Sequence, residues 1–147
     1  MIATDTIESR KREIEMDLID ILIIDDSDAF IKLTRRSIAK SGVDCSIHDV
    51  SNGRRAIEFL EKTTVCPDVI LLDMNMPVMD GFEFLGEYSR MEHSCLKKSL
   101  IYMLTSSIME KDKVRAHSYT QLKAYFEKPL TSEHIRQVLA DVADRRK

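Results

Sequence analysis

Five short apolar runs alternate with five segments of helical periodicity along this 147-residue chain. The third run, residues 69–72, is too short for a helix, ends in Asp73 and is soon followed by Pro77 and Gly81. It therefore predicts a buried strand that ends in a turn. Parallel strands need crossover connections, and strands that alternate with helices place those connections on both faces of a sheet. The predicted fold is α/β, a doubly wound five-stranded parallel sheet with helices on both faces.

Polar side chains follow four of the predicted strands at the points where the strands end. In strand order they are Asp25 with Asp26, Asp73, Thr105 and Lys128. Taken alone, Asp73 fits an ordinary turn former equally well. Because the carboxyl ends of parallel strands share one edge of the sheet, where ligands bind in such folds, all of these side chains are expected to meet.

The chemistry of this set indicates phosphoryl transfer. Three carboxylates raise one another's pKa, so a cation is needed beside them, and Mg²⁺ prefers oxygen ligands of this kind next to a phosphoryl group. Lys128 adds a second positive charge, and the Thr105 hydroxyl can donate to a phosphoryl oxygen. No Ser-His or Cys-His arrangement follows the strands, so a carboxylate is the expected nucleophile.

Composition excludes several other classes of protein. The net charge of −3 gives no electrostatic reason to expect nucleic acid. The first residues have neither the positive start nor the apolar stretch of a signal peptide, and no segment approaches the roughly 20 apolar residues of a membrane span. A cytoplasmic protein with no membrane or nucleic-acid partner is predicted. Cys45, Cys66 and Cys95 lack metal-ligand spacing, so reduced thiols are expected.

The motifs at the strand ends occur together in one known family. In chain order they are Asp25-Asp26, residues 73–81, Thr105-Ser106 and Lys128-Pro129. This set resembles the receiver domain of bacterial two-component response regulators, in particular the single-domain receivers of chemotaxis. The resemblance covers residues 18–147 and leaves residues 1–17 as an N-terminal extension. It implies a flavodoxin-like sheet with strand order 2-1-3-4-5.

The resemblance also implies a phosphoacceptor and a metal site. Asp73 would accept a phosphoryl group from a histidine kinase or a histidine phosphotransfer protein. Asp26, Asp73 and the backbone carbonyl of Asn75 would hold Mg²⁺, and Asp25 would act through a water molecule. Such a domain is a signalling switch and not an enzyme, since it catalyses only its own phosphorylation and dephosphorylation.

The resemblance further implies a switch. Thr105 and Lys128 would bind the phosphoryl oxygens, and the Lys128-Pro129 peptide would be cis. Tyr125 matches the family's switch aromatic, which turns inward when Thr105 moves toward the phosphoryl group. The surface formed by helix 4, strand 5 and helix 5 would then change shape and bind a downstream protein.

Two alternatives remain. A Mg²⁺-dependent phosphohydrolase of the haloacid dehalogenase type would use Asp26 as nucleophile, since residues 26–28 read Asp-x-Asp after an apolar strand and Thr105 and Lys128 suit its later motifs. However, Ala29-Phe30 replaces the usual following pair, the late acidic pair is missing, and the chain leaves no room for a cap domain. An inert interaction module with the same fold is the second alternative, and the complete set of site residues argues against it.

Overall fold

The computed structural model describes residues 18–92, 98–106 and 109–147. Its five strands form one parallel sheet of order β2-β1-β3-β4-β5, as predicted. The strands are β1 (Ile19–Ile24), β2 (Cys45–Val50), β3 (Val69–Asp73), β4 (Leu100–Thr105) and β5 (Leu122–Glu127). The predicted extension at residues 1–17 lies outside the described residues.

Helices follow each strand. They are α1 (Asp28–Lys40), α2 (Gly53–Lys62), α3 (Gly81–Arg90), α4 (Glu110–His117) and α5 (Ser132–Arg145). Four of these helices begin at a side-chain cap, in which Ser27, Asn52, Asp80 or Thr131 accepts a hydrogen bond from a backbone N–H of the first turn. The cap of α1, Ser27, directly follows the acidic pair at the end of β1.

The sheet separates two apolar layers. Helices α1 and α5 contribute Ile31, Ile38, Ile135 and Val138 to one layer. Helices α2, α3 and α4 pack on the opposite face, in a layer made of the other alternating strand side chains. All five residues of the central strand β3 are buried, because helices cover it on both faces. The edge of the sheet where β1 and β3 end is therefore supported by two strands that are almost entirely buried.

Helix α4 is the least embedded of the five helices. Of its eight residues, all described, Ala116 alone is buried. The apolar periodicity of this segment is weak, which agrees with the small number of residues that it buries.

The prediction of reduced thiols holds for Cys45 and fails for Cys66, while Cys95 lies outside the described residues. Cys45 is a half-buried free thiol, and burial raises its pKa. Cys66, in contrast, is disulfide-bonded, so the expectation of reduced thiols was wrong for this residue. A disulfide depends on which cysteines the fold brings within bonding distance, and sequence spacing does not show that.

Across the described ranges, no helix is both long enough and apolar enough to cross a membrane.

Candidate functional site

Three carboxylates meet at the carboxyl edge of the sheet. Strands β1 and β3 are neighbours in register, with Ile24 opposite Leu72, so the residues that follow them leave the sheet at the same level. One oxygen each from Asp25, Asp26 and Asp73 lies within 4.8 Å of the others. Asp25 and Asp73 are buried, whereas Asp26 is exposed. The predicted convergence of these three acids is thus a feature of the structure.

Lys128 lies between the two buried acids. Its Nζ is 2.9 Å from Oδ2 of Asp25 and 3.1 Å from Oδ1 of Asp73. The Lys128 side chain is only 7% exposed, so these contacts are shielded from bulk water. A buried ammonium that bridges two carboxylates offsets part of the repulsion between them. The remaining excess of negative charge leaves the pocket suited to a further cation.

The protonation of Asp73 is strongly perturbed. Burial, and next the neighbouring Asp25 carboxylate, raise the pKa of Asp73 to about 6, although Lys128 acts in the opposite direction. A raised pKa in a pocket with a specific charge partner is typical of functional sites. Near pH 7 the side chain is therefore mainly ionised, as a nucleophile must be.

The loop after β3 is held by backbone contacts. The N–H of Met74 donates to the Leu104 carbonyl of β4, and the N–H of Gly81 donates back to the Met74 carbonyl, both at 2.9 Å. Between them Val78 has a φ of 70°, an uncommon conformation for a branched residue. These bonds close a compact turn, which holds the Asp73 backbone against the start of α3.

The first acid is held in a similar way. The N–H of Asp25 donates to the Val50 carbonyl of β2 at 3.1 Å. Its Oδ1 accepts a hydrogen bond from the Ser27 N–H at 2.9 Å, while Oδ2 contacts Lys128. Both oxygens of the buried Asp25 carboxylate are therefore engaged, which fixes its orientation in the pocket.

Asn75 and Thr105 differ in their exposure. Asn75 is exposed in the loop after β3 and lines a cavity of about 230 Å³ together with Lys111 and Arg115 of α4. Thr105 is fully buried at the end of β4, and its carbonyl accepts a hydrogen bond from the Lys128 N–H at 2.7 Å. The peptide after Lys128 is cis, as the resemblance implied.

Tyr125 occupies the predicted position on β5. It is half-buried and packs against the apolar layer of α2, α3 and α4. Its hydroxyl is buried and has no hydrogen-bond partner among the described residues. Burial and the negative charges of Asp112 and Glu110 on α4 raise its pKa. A buried hydroxyl without a partner is costly, so a rearrangement that supplies one would be favoured.

Sequence reasoning missed Phe30. The Lys128 ammonium lies over the Phe30 ring, 4.0 Å from its centroid. The sequence patterns gave Phe30 no role at the receiver site. The available signal was its position in the first turn of a helix that starts at the same sheet edge as Asp25 and Asp26.

The three acids suit a divalent cation. Mg²⁺ binds oxygen at about 2.0–2.1 Å with octahedral geometry, so opposite ligands lie about 4 Å apart. Carboxylate oxygens within 4.8 Å of one another match that size if a water molecule links the ion to one of them. The donors are hard oxygens, and the one adjacent cation, among the described residues, is Lys128 at the buried side.

The parallel sheet and its acidic pocket define a phosphoacceptor signalling domain of the flavodoxin-like class. The chain belongs to the response regulator receiver domain family, whose model matches residues 21–140.

Relatives and solved structures agree with this assignment. The chain is 27% identical to the probable methanogenesis regulatory protein FilR2 of Methanothrix harundinacea, over 84% of this chain and 81% of FilR2. A two-component response regulator from Cytophaga hutchinsonii superposes with a TM-score of 0.78 at 26% identity, covering 85% of this chain and 96% of the other. The Mn²⁺-bound form of response regulator Rcp1 superposes with a TM-score of 0.67 at 26% identity, covering 83% and 90%.

Some relatives are much longer. The chain spans 14% of the sensor histidine kinase CheAY of Helicobacter pylori, to which it is 28% identical over 81% of its own length. The similarity to such proteins therefore concerns a receiver domain within a larger protein.

Proposed function

We propose that this chain takes a phosphoryl group on Asp73 from a histidine kinase or a histidine phosphotransfer protein. The observation that carries the proposal is the Lys128 ammonium, which bridges Asp25 and Asp73 in a buried pocket at the sheet edge. The Asp73 oxygen would form a bond to phosphorus as the bond between phosphorus and the donor imidazole breaks. The imidazole leaves with the electron pair, and the product is an acyl phosphate.

Asp26, Asp73 and the carbonyl of Asn75 would hold Mg²⁺, with Asp25 acting through water. The arrangement of the three carboxylates supports this ligand set. When bound, the ion would offset the negative charge of the phosphoryl oxygens. The likeness to the Mn²⁺-bound form of Rcp1 is a further argument for a divalent ion.

Lys128 and Thr105 would bind the phosphoryl oxygens. Lys128 already contacts an Asp73 oxygen, and Thr105 is joined to Lys128 by a backbone hydrogen bond. An acyl phosphate adds negative charge and acceptor oxygens, and charge-assisted hydrogen bonds contribute about 1.5–3 kcal/mol each. Shifting a two-state switch from 1:99 to 99:1 requires about 5.5 kcal/mol, so a few such bonds supply much of the driving force.

The output surface would be formed by α4, β5 and α5. Tyr125 supports this assignment because its hydroxyl lies unpartnered near the negative charges of α4. Movement of Thr105 toward the phosphoryl group would let Tyr125 turn inward, which changes the surface that a downstream protein binds. In this reading the domain is a switch and not an enzyme that turns over substrate.

Residues 18–147 are assigned to the receiver domain, and residues 1–17 to an N-terminal extension. The assignment is supported by the start of β1 at Ile19 and by the family match from residue 21. The cytoplasmic location predicted from the sequence stays a prediction.

Phosphorylation with acetyl phosphate and Mg²⁺ tests the proposal. The wild type and the control Asp49→Asn, which alters an exposed acid on β2, should gain one phosphoryl group by intact mass, and Asp73→Asn should gain none. The comparisons give no support to a haloacid dehalogenase phosphatase. Modification of Asp26 in the peptide map, with turnover of small phosphate esters, would nevertheless reverse the assignment.

A further inference from the structure

The Lys128 ammonium makes three side-chain contacts in the pocket, and only two of them are with carboxylates. The third is the Phe30 ring, with its centroid 4.0 Å from Nζ, compared with 2.9 Å and 3.1 Å for the contacts to Asp25 and Asp73. A cation over the face of an aromatic ring is attracted by the ring's negative face. The ammonium is therefore held between two anions and one neutral surface.

The position of the ring is fixed by the start of α1. Phe30 is the third residue of this helix, and its N–H donates to Oγ of the capping residue Ser27 at 3.3 Å. The Ser27 N–H in turn donates to Oδ1 of Asp25. One chain of hydrogen bonds thus links Asp25, the capping residue Ser27 and the Phe30 backbone, which sets where the Phe30 side chain starts relative to the pocket.

The three attachments respond differently to a divalent ion. Asp73 and Asp25 belong to the proposed metal site, so an incoming ion competes with Lys128 for their charge and also repels its ammonium. A phenyl ring supplies no ligand to Mg²⁺, because that ion takes oxygen donors. The contact with Phe30 is therefore the one of the three that metal loading leaves intact.

We propose that Phe30 is a positioning residue that keeps the Lys128 ammonium over the pocket once a divalent ion occupies the carboxylates. The lysine then meets the incoming phosphoryl oxygens without first returning from solvent. The ring also shields one side of the ammonium from water, which strengthens its interaction with the phosphoryl group. This inference rests on the proposed phosphorylation of Asp73.

Three variants separate the ring's charge-binding face from its bulk. Phe30→Leu keeps an apolar side chain of similar size without the aromatic face, and Phe30→Tyr restores the face. Leu33→Ala is the matched control, since Leu33 is 47% exposed on the same helix. With acetyl phosphate at saturating Mg²⁺, Phe30→Leu should be phosphorylated roughly three- to tenfold more slowly, while the other two match the wild type.

Calorimetric titration with Mg²⁺ shows whether Phe30 positions Lys128 or only supports the pocket by packing. If the ring only supports the pocket, Phe30→Leu should weaken Mg²⁺ binding together with the phosphorylation rate. If the ring retains Lys128, Mg²⁺ affinity should be unchanged or higher, because the repelled ammonium is free to leave. An unchanged rate, a slow Phe30→Tyr, or a parallel loss of rate and Mg²⁺ affinity would each overturn the inference.

An NMR measurement on the wild-type protein tests the same inference without relying on the folding of a variant. The ε-methylene group of Lys128 is bonded to Nζ, which lies 4.0 Å from the Phe30 ring centroid, so its protons should resonate upfield through the ring current. The inference requires that this upfield shift persists when Mg²⁺ is added, and its disappearance would contradict the inference. A wild type that takes no phosphoryl group would refute the proposed function instead, and the Lys128 shift would still report on Phe30.

Discussion

A Cβ atom on Gly81 would lie 2.7 Å from the carbonyl oxygen of Asp73 and 3.0 Å from Cα of Met74. Neither neighbour is a flexible side chain, so neither can move without shifting the backbone that carries the proposed phosphoacceptor. The glycine at the start of α3 is therefore required by close approach, and the site depends on it although it has no side chain.

We predict that Gly81→Ala destabilises the protein by about 1–3 kcal/mol, as overpacking against backbone does. It should also slow phosphorylation, because Asp73 is displaced. Gly86→Ala in the same helix is the control, since its Cβ would meet nothing closer than the Arg90 side chain at 3.9 Å. That change should be neutral or stabilise by about 0.5–1 kcal/mol. Urea unfolding measures both, and equal effects would contradict the contact with Asp73.

Lys128→Met should destabilise the metal-free protein by about 3–5 kcal/mol, because it leaves Asp25 and Asp73 buried without their cation. Added Mg²⁺ should recover a large part of this loss, since the ion brings positive charge to the same oxygens. Lys113→Met is the control at an exposed ion pair with Glu110 and should change stability by less than about 0.5 kcal/mol. Unfolding in EDTA and in Mg²⁺ checks this. An equal loss in both would argue against a shared site.

Asp73→Asn should stabilise the metal-free protein in a pH-dependent way. The folded-state pKa of Asp73 is raised from 3.8 to about 6, so the folded protein binds the proton more tightly than the unfolded chain. Below about pH 4 Asp73 is protonated in both the folded and the unfolded protein, so its ionisation does not lower the free energy of unfolding. As the pH rises through about 6, ionisation costs up to roughly 3 kcal/mol, and stability is lost.

In EDTA, the free energy of unfolding of Asp73→Asn should therefore exceed that of the wild type by about 1–3 kcal/mol near pH 7.5 and equal it near pH 4. The lower value of this range allows for the loss of the ion pair between Lys128 and Asp73. Asp49→Asn, on the exposed edge strand, should show no such trend. A stability difference for Asp73→Asn that is constant over this pH range would show that the Asp73 pKa is not raised.

Two tyrosines provide a matched pair of hydroxyls. Tyr102 is fully buried and donates to Oδ2 of Asp141 on α5 at 2.6 Å, whereas the buried Tyr125 hydroxyl has no partner among the described residues. Tyr102→Phe should therefore cost about 1–3 kcal/mol, since it removes a hydrogen bond to a charged group. Tyr125→Phe should be close to neutral in the unphosphorylated protein. Chemical unfolding of both variants tests this, and equal losses would mean that Tyr125 has a partner.

The strand ends were predictable from the sequence because their placement follows from topology. Asp25, Asp73, Thr105 and Lys128 each follow a short apolar run, and parallel strands bring such positions to one edge whatever the side chains between them. Contacts between side chains of elements that are far apart in the sequence were not predictable in this way. The ring of Phe30 over Lys128 and the bond from Tyr102 to Asp141 depend on packing distances, and sequence spacing does not contain those.

Ala116 is the one buried residue of α4, whereas α2 and α3 each bury four or more. Displacing α4 would therefore expose fewer buried side chains of its own than displacing α2 or α3, so less apolar burial holds it in place. A conformational change at the acidic pocket is expected to move the element that loses the least buried surface. If the pocket switches as proposed, α4 is the helix whose movement costs the least buried surface, which agrees with its place in the proposed output surface.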